Sequence, residues 1–582
     1  MILRRQKMKK ISRTLISFLI CGAILFGMTT MALADNEVLR LTVAADTHFQ
    51  CFTDLGDFPA DPSQKSNTEG MLDKEVYFYT STQGQMNYES YAIMKQLLDS
   101  FVKGDDEYLL IAGDLTCGKR QSHIELAQML REAEKESGKE IFVICGNHDC
   151  DDDNFDRYIG IDEFKEIYAD FGYNQALNRH SDSGSYTADL SERYRLIAID
   201  SCVYGKDDGE INPSVMEWIR EQAQTAKADG KELIGMMHHS ILPHFYLQPM
   251  IDNYSDLAQE FAELGINTVF TGHIHANDIS CAKTASGKKL YDIQTGSLIT
   301  SPNAFRHVSM GDTVKITSEY ITEINTADLM DGYSSEQLGR IEESFSDYSY
   351  GFFEAGMCRW VNTFIGSAGK IGKVLKLDSD SPEYQELDRL LRIVGSSVNL
   401  PIYDDGSTPG ELDSLEEIAA SAGYTLPQSD YERVYQVVAA LMGNFFHGDS
   451  GETSLDRETA LLLDCIKAAL AYCSVNLIAK GGLNNLLGYL NIELPKDRLV
   501  SDAARITCAQ GIASELVTSV IEPLLQGISD DYSEPDDINT ELDLNNDGSS
   551  LVNRVSMNVF ESIIRYFYRL IKALLNTFAV QY

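Results

Sequence analysis

Ile141-Phe142-Val143-Ile144-Cys145-Gly146-Asn147-His148-Asp149 is the stretch on which the fold turns. An apolar run without polar alternation stops at a glycine and gives way to side chains that bind metals and move protons. A run this short, bounded this way, reads as a strand covered on both faces. The same pattern recurs outward from it. Upstream, Leu39 to Ala45 ends in Asp46-Thr47-His48, and Tyr108 to Ala112 ends in Gly113-Asp114. Downstream, Leu233 to Met237 ends in His238-His239, and Thr268 to Thr271 ends in Gly272-His273-Ile274-His275. Leu196 to Ile199 is a further apolar run. Helical patterns at Tyr88 to Val102, Ile124 to Glu136 and Ser214 to Lys227 lie between them. Short strands alternating with helices from Val38 to about Tyr320 predict a layered α/β domain.

In open α/β sheets, ligands bind beyond the carboxyl ends of the strands, so these polar strand ends should converge on one site. Singly, each has an ordinary reading: Asp46 as a helix cap, Asn147 as a turn residue, His238 as a core histidine with its hydrogen bonds satisfied. Their common register with strand ends favours a shared site. Carboxylate and amide oxygens together with imidazoles suit first-row divalent or trivalent ions, and a two-metal centre needs one donor able to bridge.

These segments resemble the D-x-H, G-D, G-N-H-D, H and G-H-x-H signature of the calcineurin-like metallophosphoesterases, in order over roughly residues 38 to 320. The resemblance implies a pair of β-sheets sandwiched between helices. It also implies two divalent or trivalent transition-metal ions (Mn, Fe or Zn): one on Asp46, His48 and His275, the other on Asn147, His238 and His273, with Asp114 bridging. A hydroxide shared by the ions would attack phosphorus in line, with no covalent phosphoenzyme. In the family, the histidine corresponding to His148 is not a ligand; it faces the phosphate and the leaving oxygen. Asp149 would orient its ring. His238 directly follows its strand and is the expected ligand of the adjacent pair, with His239 behind it or facing substrate. Gly113-Asp114-Leu115-Thr116 with Gly118 and His123, and Thr295-Gly296-Ser297 with Pro302-Asn303, are similar to bacterial phosphoesterases of the cyclic-nucleotide phosphodiesterase kind. Some extracellular members carry a helical C-terminal domain. His123 and His307 are candidates for approaching the site, with capping or surface roles the commoner outcome.

The remaining chain sets the context. Arg4, Arg5, Lys7, Lys9, Lys10 and Arg13, the apolar run Leu15 to Met28 and Ala32-Leu33-Ala34 read as a signal peptide over residues 1–34, predicting a secreted or cell-surface protein without a membrane span after cleavage. The formal charge of −40 becomes more negative when those cations are removed. That field repels nucleic-acid polymers, whereas a small phosphate ester can still be held by local metal charge. Residues 35–325 form the expected catalytic domain. Residues 326–582 form the expected all-helical one, from patterns such as Tyr384 to Val394, Tyr431 to Phe446, Arg457 to Ala479 and Val555 to Phe578. Cys145 and Cys202 read as buried free thiols. The long, aromatic segment Phe49 to Gln85 reads as a pocket wall, a lid or a loop packed on the second domain. Asp543 to Gly548 opens like a calcium loop, but Arg554 occupies the position of the bidentate acid. The function expected is therefore an exported phosphoesterase, with a phosphodiesterase on small nucleotides, cyclic ones included, ahead of a phosphomonoesterase or nucleotidase. A surface-binding protein with a vestigial metal site is the rival from another class; the full donor set argues against it.

Overall fold

The computed structural model describes residues 38–55, 83–151, 158–206 and 209–365 (without 245–247, 249 and 252), short pieces between 368 and 407, and 413–448 without 422, 456–479 and 535–544. The signal-peptide reading, most of the Phe49 to Gln85 segment, the final helix and most of the calcium-like loop lie outside these residues. Strands β1 (Leu39–Ala44), β2 (Tyr108–Ala112) and β3 (Glu140–Ile144) run parallel in one sheet. Antiparallel β11 (Ala304–Met310), β12 (Val314–Tyr320) and β13 (Asn539–Leu542) complete its order β13-β12-β11-β1-β2-β3. The second sheet has β4 (Asn178–Arg179), β5 (Tyr186–Asp189), β6 (Tyr194–Ile199), β7 (Glu232–Met237), β8 (Ile266–Thr271), β9 (Asp278–Lys283) and β10 (Lys289–Gln294). Its order is β4-β5-β6-β7-β8-β10-β9, with β6, β7, β8 and β10 parallel.

The two sheets face each other across one core. Leu196 and Ala198 of β6 and Ile234 and Met236 of β7 point into it, joining Leu41, Val43, Leu110 and Val143 of the first sheet. Ile197, Ile199, Leu233 and Met237 point the other way, onto Val215, Ile219 and Phe261 of the helices Pro213–Ala228 and Tyr254–Leu264. This period-two division explains why the strand sequences are apolar throughout. Asn212 starts the first of these helices, its Oδ1 accepting from Ser214 and Val215 N–H at 3.1 and 3.0 Å. The predicted helices appear as Ser90–Lys103, Arg120–Ser137 and Pro213–Ala228. The antiparallel strands carry a different signature. In β12, Val314, Ile316 and Ser318 are buried while Lys315, Thr317 and Glu319 are exposed, an alternation that a search for continuous apolar runs passes over.

Downstream, the helices Leu415–Ser421, Val434–His447 and Asp456–Ala479 share a core of their own that includes Ile402, Leu415, Val437 and Leu461. The expectation of a purely helical region needs one amendment. Asn539–Leu542 pairs with β12, Val314 opposite Leu542, and covers an edge that would otherwise expose unpaired backbone groups. Just before β13, the carbonyl of Asp537 accepts from Nη1 of the fully buried Arg306 at 2.5 Å. Arg306 also donates to Ser318 Oγ at 3.0 Å and to Gln294 O at 2.7 Å.

Within the second sheet, His244 is fully buried between Asp278 Oδ1 at 2.5 Å and Asp292 Oδ1 at 3.4 Å. Burial acts against its charge, but Asp292 and Asp278 outweigh it and hold the ring at about 9, above the ordinary 6.5. The folded state therefore binds this proton more tightly than the unfolded chain. Its stabilisation is complete below about pH 6.5 and is lost as pH rises through about 9. Chemical denaturation from pH 6 to 10 should show that decline, and His244→Gln should flatten it; an equally steep decline in the variant would remove His244 as its source. A chain ending at Thr326 loses β13 and the Asp537 carbonyl. Leaving a buried charged donor short of a partner should cost about 3 kcal/mol or more, read as an earlier denaturant midpoint. An unchanged midpoint would show that the two sheets do not need the returning strand.

Candidate metal centre

The strands β1, β2 and β8 lead into donor-bearing residues with left-handed backbone that redirects the chain. Asp46, His48, Asp114, His273 and His275 all have positive φ, between 37° and 76°. Non-glycine residues rarely occupy this region, and such strain persists where surrounding contacts over-determine it. The motif glycines permit the resulting close approaches. A Cβ on Gly146 would lie 2.1 Å from Asp114 Oδ1, and one on Gly272 would lie 2.5 Å from Asp46 Oδ2.

The side chains converge in two groups around Asp114. On one side, His48 Nε2 lies 3.2 Å from His275 Nε2, and His275 Nε2 lies 3.4 Å from Asp46 Oδ1. On the other, Asn147 Oδ1 lies 3.0 Å from both His238 Nε2 and His273 Nδ1. Asp114 Oδ2 reaches both groups, 3.7 Å from His48 Nε2 and 3.2 Å from His238 Nε2. The Ala112 carbonyl, 3.0 Å from His238 Nδ1, accepts a hydrogen bond from that nitrogen and leaves Nε2 facing the centre. Asp46 and Asp114 are both fully buried.

Electrostatics follow from this packing. Burial lowers His48 and His273 to about 3, so both rings are neutral with lone pairs available. Burial also disfavours charge on His238, but the adjacent Asp114 carboxylate outweighs it and holds the ring at about 9. Burial pushes Asp114 up, while His238, His148 and His48 together hold it well below the usual carboxylate range. Two buried carboxylates among ring nitrogens are costly unless positive charge lies between them. The donor set therefore fits cations: oxygens and imidazoles converge within metal-ligand reach, in the groups Asp46–His48–His275 and Asp46–Asp114–His238.

Asp149 is engaged by backbone amides from two loops. Its Oδ2 accepts from Gly146 and Leu115 N–H at 2.8 and 3.1 Å, and its Oδ1 from Thr116 N–H at 2.9 Å. The buried carboxylate thus ties the loop after β2 to the loop after β3. His148 donates its backbone N–H to Asp114 Oδ1 at 2.8 Å, and its partly exposed ring stands edge-on to His48 with centroids 5.3 Å apart. His239 sits behind the centre, its Nδ1 2.9 Å from Ser201 Oγ. His123 is buried against Thr116 Oγ1 and Tyr168 OH, each at 2.9 Å, and His307 lies between Asp106 and Glu319. Neither belongs to the centre. The residues that sequence reading missed are supports. Ser297 Oγ donates to Asp46 O at 3.0 Å while its N–H donates to His275 O at 3.1 Å. Asp292 Oδ2 accepts from Ile241 and Leu242 N–H just past the His238-His239 pair. Only the Thr295-Gly296-Ser297 motif signalled any of this.

Cys145 and Cys202 are free thiols beside Asp200, Cys145 buried and Cys202 partly so. Asp200 is already engaged by Gly184 N–H, Cys202 N–H and Tyr204 OH. The end of the Phe49 to Gln85 segment packs on the helix Phe345–Ile365, where a Cβ on Gly84 would lie 2.7 Å from Phe353 Cα. Its aromatic residues Phe58, Tyr77, Phe78 and Tyr79 lie outside the described residues.

The family model described as "Calcineurin-like phosphoesterase" matches residues 39–277. A curated relative named "Probable cyclic nucleotide phosphodiesterase", from Psychrobacter arcticus, is 25% identical over 194 residues, covering 32% of this chain and 63% of that protein's length. A dimetal phosphatase from Danio rerio is similar at 10% identity and TM-score 0.35, covering 48% of this chain and 96% of that one. A purple acid phosphatase from yellow lupin, Lupinus luteus, is similar at 13% identity and TM-score 0.32, covering 52% and 57%. Through residues 39–277, this chain is similar to the calcineurin-like phosphoesterases.

Proposed function

We propose that the chain is a dinuclear-metal phosphoesterase that prefers diesters of small nucleotides, cyclic ones among them, and acts outside the cytoplasm. The observation that carries the dinuclear reading is the position of Asp114 Oδ2 between His48 Nε2 and His238 Nε2, at 3.7 and 3.2 Å. In this reading Asp46, His48 and His275 hold one ion, Asn147, His238 and His273 hold the other, and Asp114 serves both. Bound ions supply a lowered water pKa and positive charge against the phosphate. Asn147 contributes an oxygen without adding negative charge that would repel the substrate. His148, partly exposed and fixed through its backbone to Asp114, holds a proton at the leaving oxygen and delivers it as the P–O bond breaks. Asp149 keeps the two ligand loops in register.

Support for the diester preference is the Psychrobacter arcticus relative, named a probable cyclic nucleotide phosphodiesterase. Support for export is the leader-like segment before Asp35. Among the described residues, no helix is long and apolar enough to cross a membrane.

Protein reconstituted in turn with Mn, Fe and Zn and tested on a generic diester, a generic monoester and cyclic nucleotides should turn over the diester and cyclic substrates fastest. Faster monoester hydrolysis would move the assignment to a phosphomonoesterase or nucleotidase. No turnover with any loaded metal would favour the vestigial-site reading. His148→Ala should keep its metal content, measured by elemental analysis, while kcat on a diester with a poor leaving group falls about 10²- to 10⁴-fold. Near-parental kcat would take His148 out of the mechanism.

A further inference from the structure

The chain that leaves the last ligand histidine, Ala276-Asn277-Asp278-Ile279, is gripped from outside its own sheet. Asn277 N–H donates to Phe446 O at 3.1 Å, and Asn277 Nδ2 lies 3.5 Å from His447 O. Ile279 N–H donates to Asp537 Oδ1 at 2.6 Å. Phe446 and His447 end the helix Val434–His447, and Asp537, only 3% exposed, precedes β13. Gly448 is the joint between them. Its φ is +91°, and a Cβ there would lie 3.0 Å from Asn277 O and 2.9 Å from Asp537 Cβ. On the opposite side, Asn277 Oδ1 accepts from Gly296 N–H at 2.9 Å, and Ser297 N–H donates to His275 O. The segment is therefore held between the catalytic sheet and two distant parts of the downstream chain.

What is held matters because His273 and His275 have left-handed backbones, φ 76° and 68°. Such conformations relax unless their flanks are fixed. The flank on the C-terminal side is the gripped segment. We infer that Asp537 and the Phe446–Gly448 turn are positioning residues of the metal centre: the downstream region fixes the backbone that aims His273 and His275 and so sets how tightly the ions are retained. The inference rests on the dinuclear reading above. It assigns the downstream region a part in the centre although none of its described residues is among the candidate ligands there.

The test uses the full chain loaded with Mn²⁺, following ion release to excess EDTA and, separately, the melting temperature of the metal-free form. Asp537→Ala should release Mn²⁺ about 10-fold faster, the lower end of losses seen when supports around metal ligands are removed. Asp537→Asn should behave like the parent, because its side-chain oxygen still accepts from Ile279 N–H. Gly448→Ala, wedged between Asn277 and Asp537, should also release faster, and carries the test if Asp537→Ala does not fold. Parental release rates in Asp537→Ala and Gly448→Ala would overturn the inference even if their melting temperatures fall. So would an Asp537→Asn variant as leaky as the alanine. A parent chain that takes up fewer than two Mn²⁺ overturns the dinuclear reading itself, and this inference with it.

Discussion

One carboxylate organises the site. Asp114 is fully buried at the end of β2, and its Oδ2 lies within reach of histidines from two different strand ends. A buried negative charge in that position is tolerable only with compensating positive charge, and the adjacent His238 provides part of it. The rest of the architecture serves to bring charge and donors to this point. Parallel strands end together, so the chain turns at one edge. Gly146 and Gly272 allow neighbouring loops to touch Asp114 and Asp46 at distances that a Cβ would forbid. Asp149 uses both oxygens to lock the β2 and β3 loops to each other. The strained φ values of five donor-bearing residues are the cost of this convergence.

The same logic accounts for the returning chain. A sandwich of two mixed sheets has edges, and β12 would be one of them without β13. The strand that covers this edge also brings the Asp537 carbonyl to Arg306, an arginine buried deeply enough that desolvation pulls its pKa down. The donors lie in the catalytic half of the chain, whereas part of what steadies that half is encoded beyond residue 440.

How much of this was legible in the sequence depended on the range of the interaction. The parallel strands and their polar ends could be read locally, because a strand buried on both faces has to be apolar along its length. The donors stood in register with those ends, and the structure brings these side chains together. Asp149 was identified, but adjacency to His148 gave no sign that its carboxylate ties the loops after β2 and β3 together. β12 alternates, and the Asn539–Leu542 segment is short and polar, so neither carries an apolar run. Asp537 supports Ile279 across 258 residues, a contact that no local pattern reports. The positive φ values were equally hidden, since Asp and His give no sign of them in sequence.

The central claim is that two metal ions share Asp114. Diffraction from the reconstituted protein, collected at the absorption edge of the loaded metal, tests it most directly. Two peaks about 3.5 to 4 Å apart are predicted, one bound by Asp46, His48 and His275, the other by Asn147, His238 and His273, with Asp114 on both. A single, fully occupied ion with Asn147 uncoordinated would contradict the account.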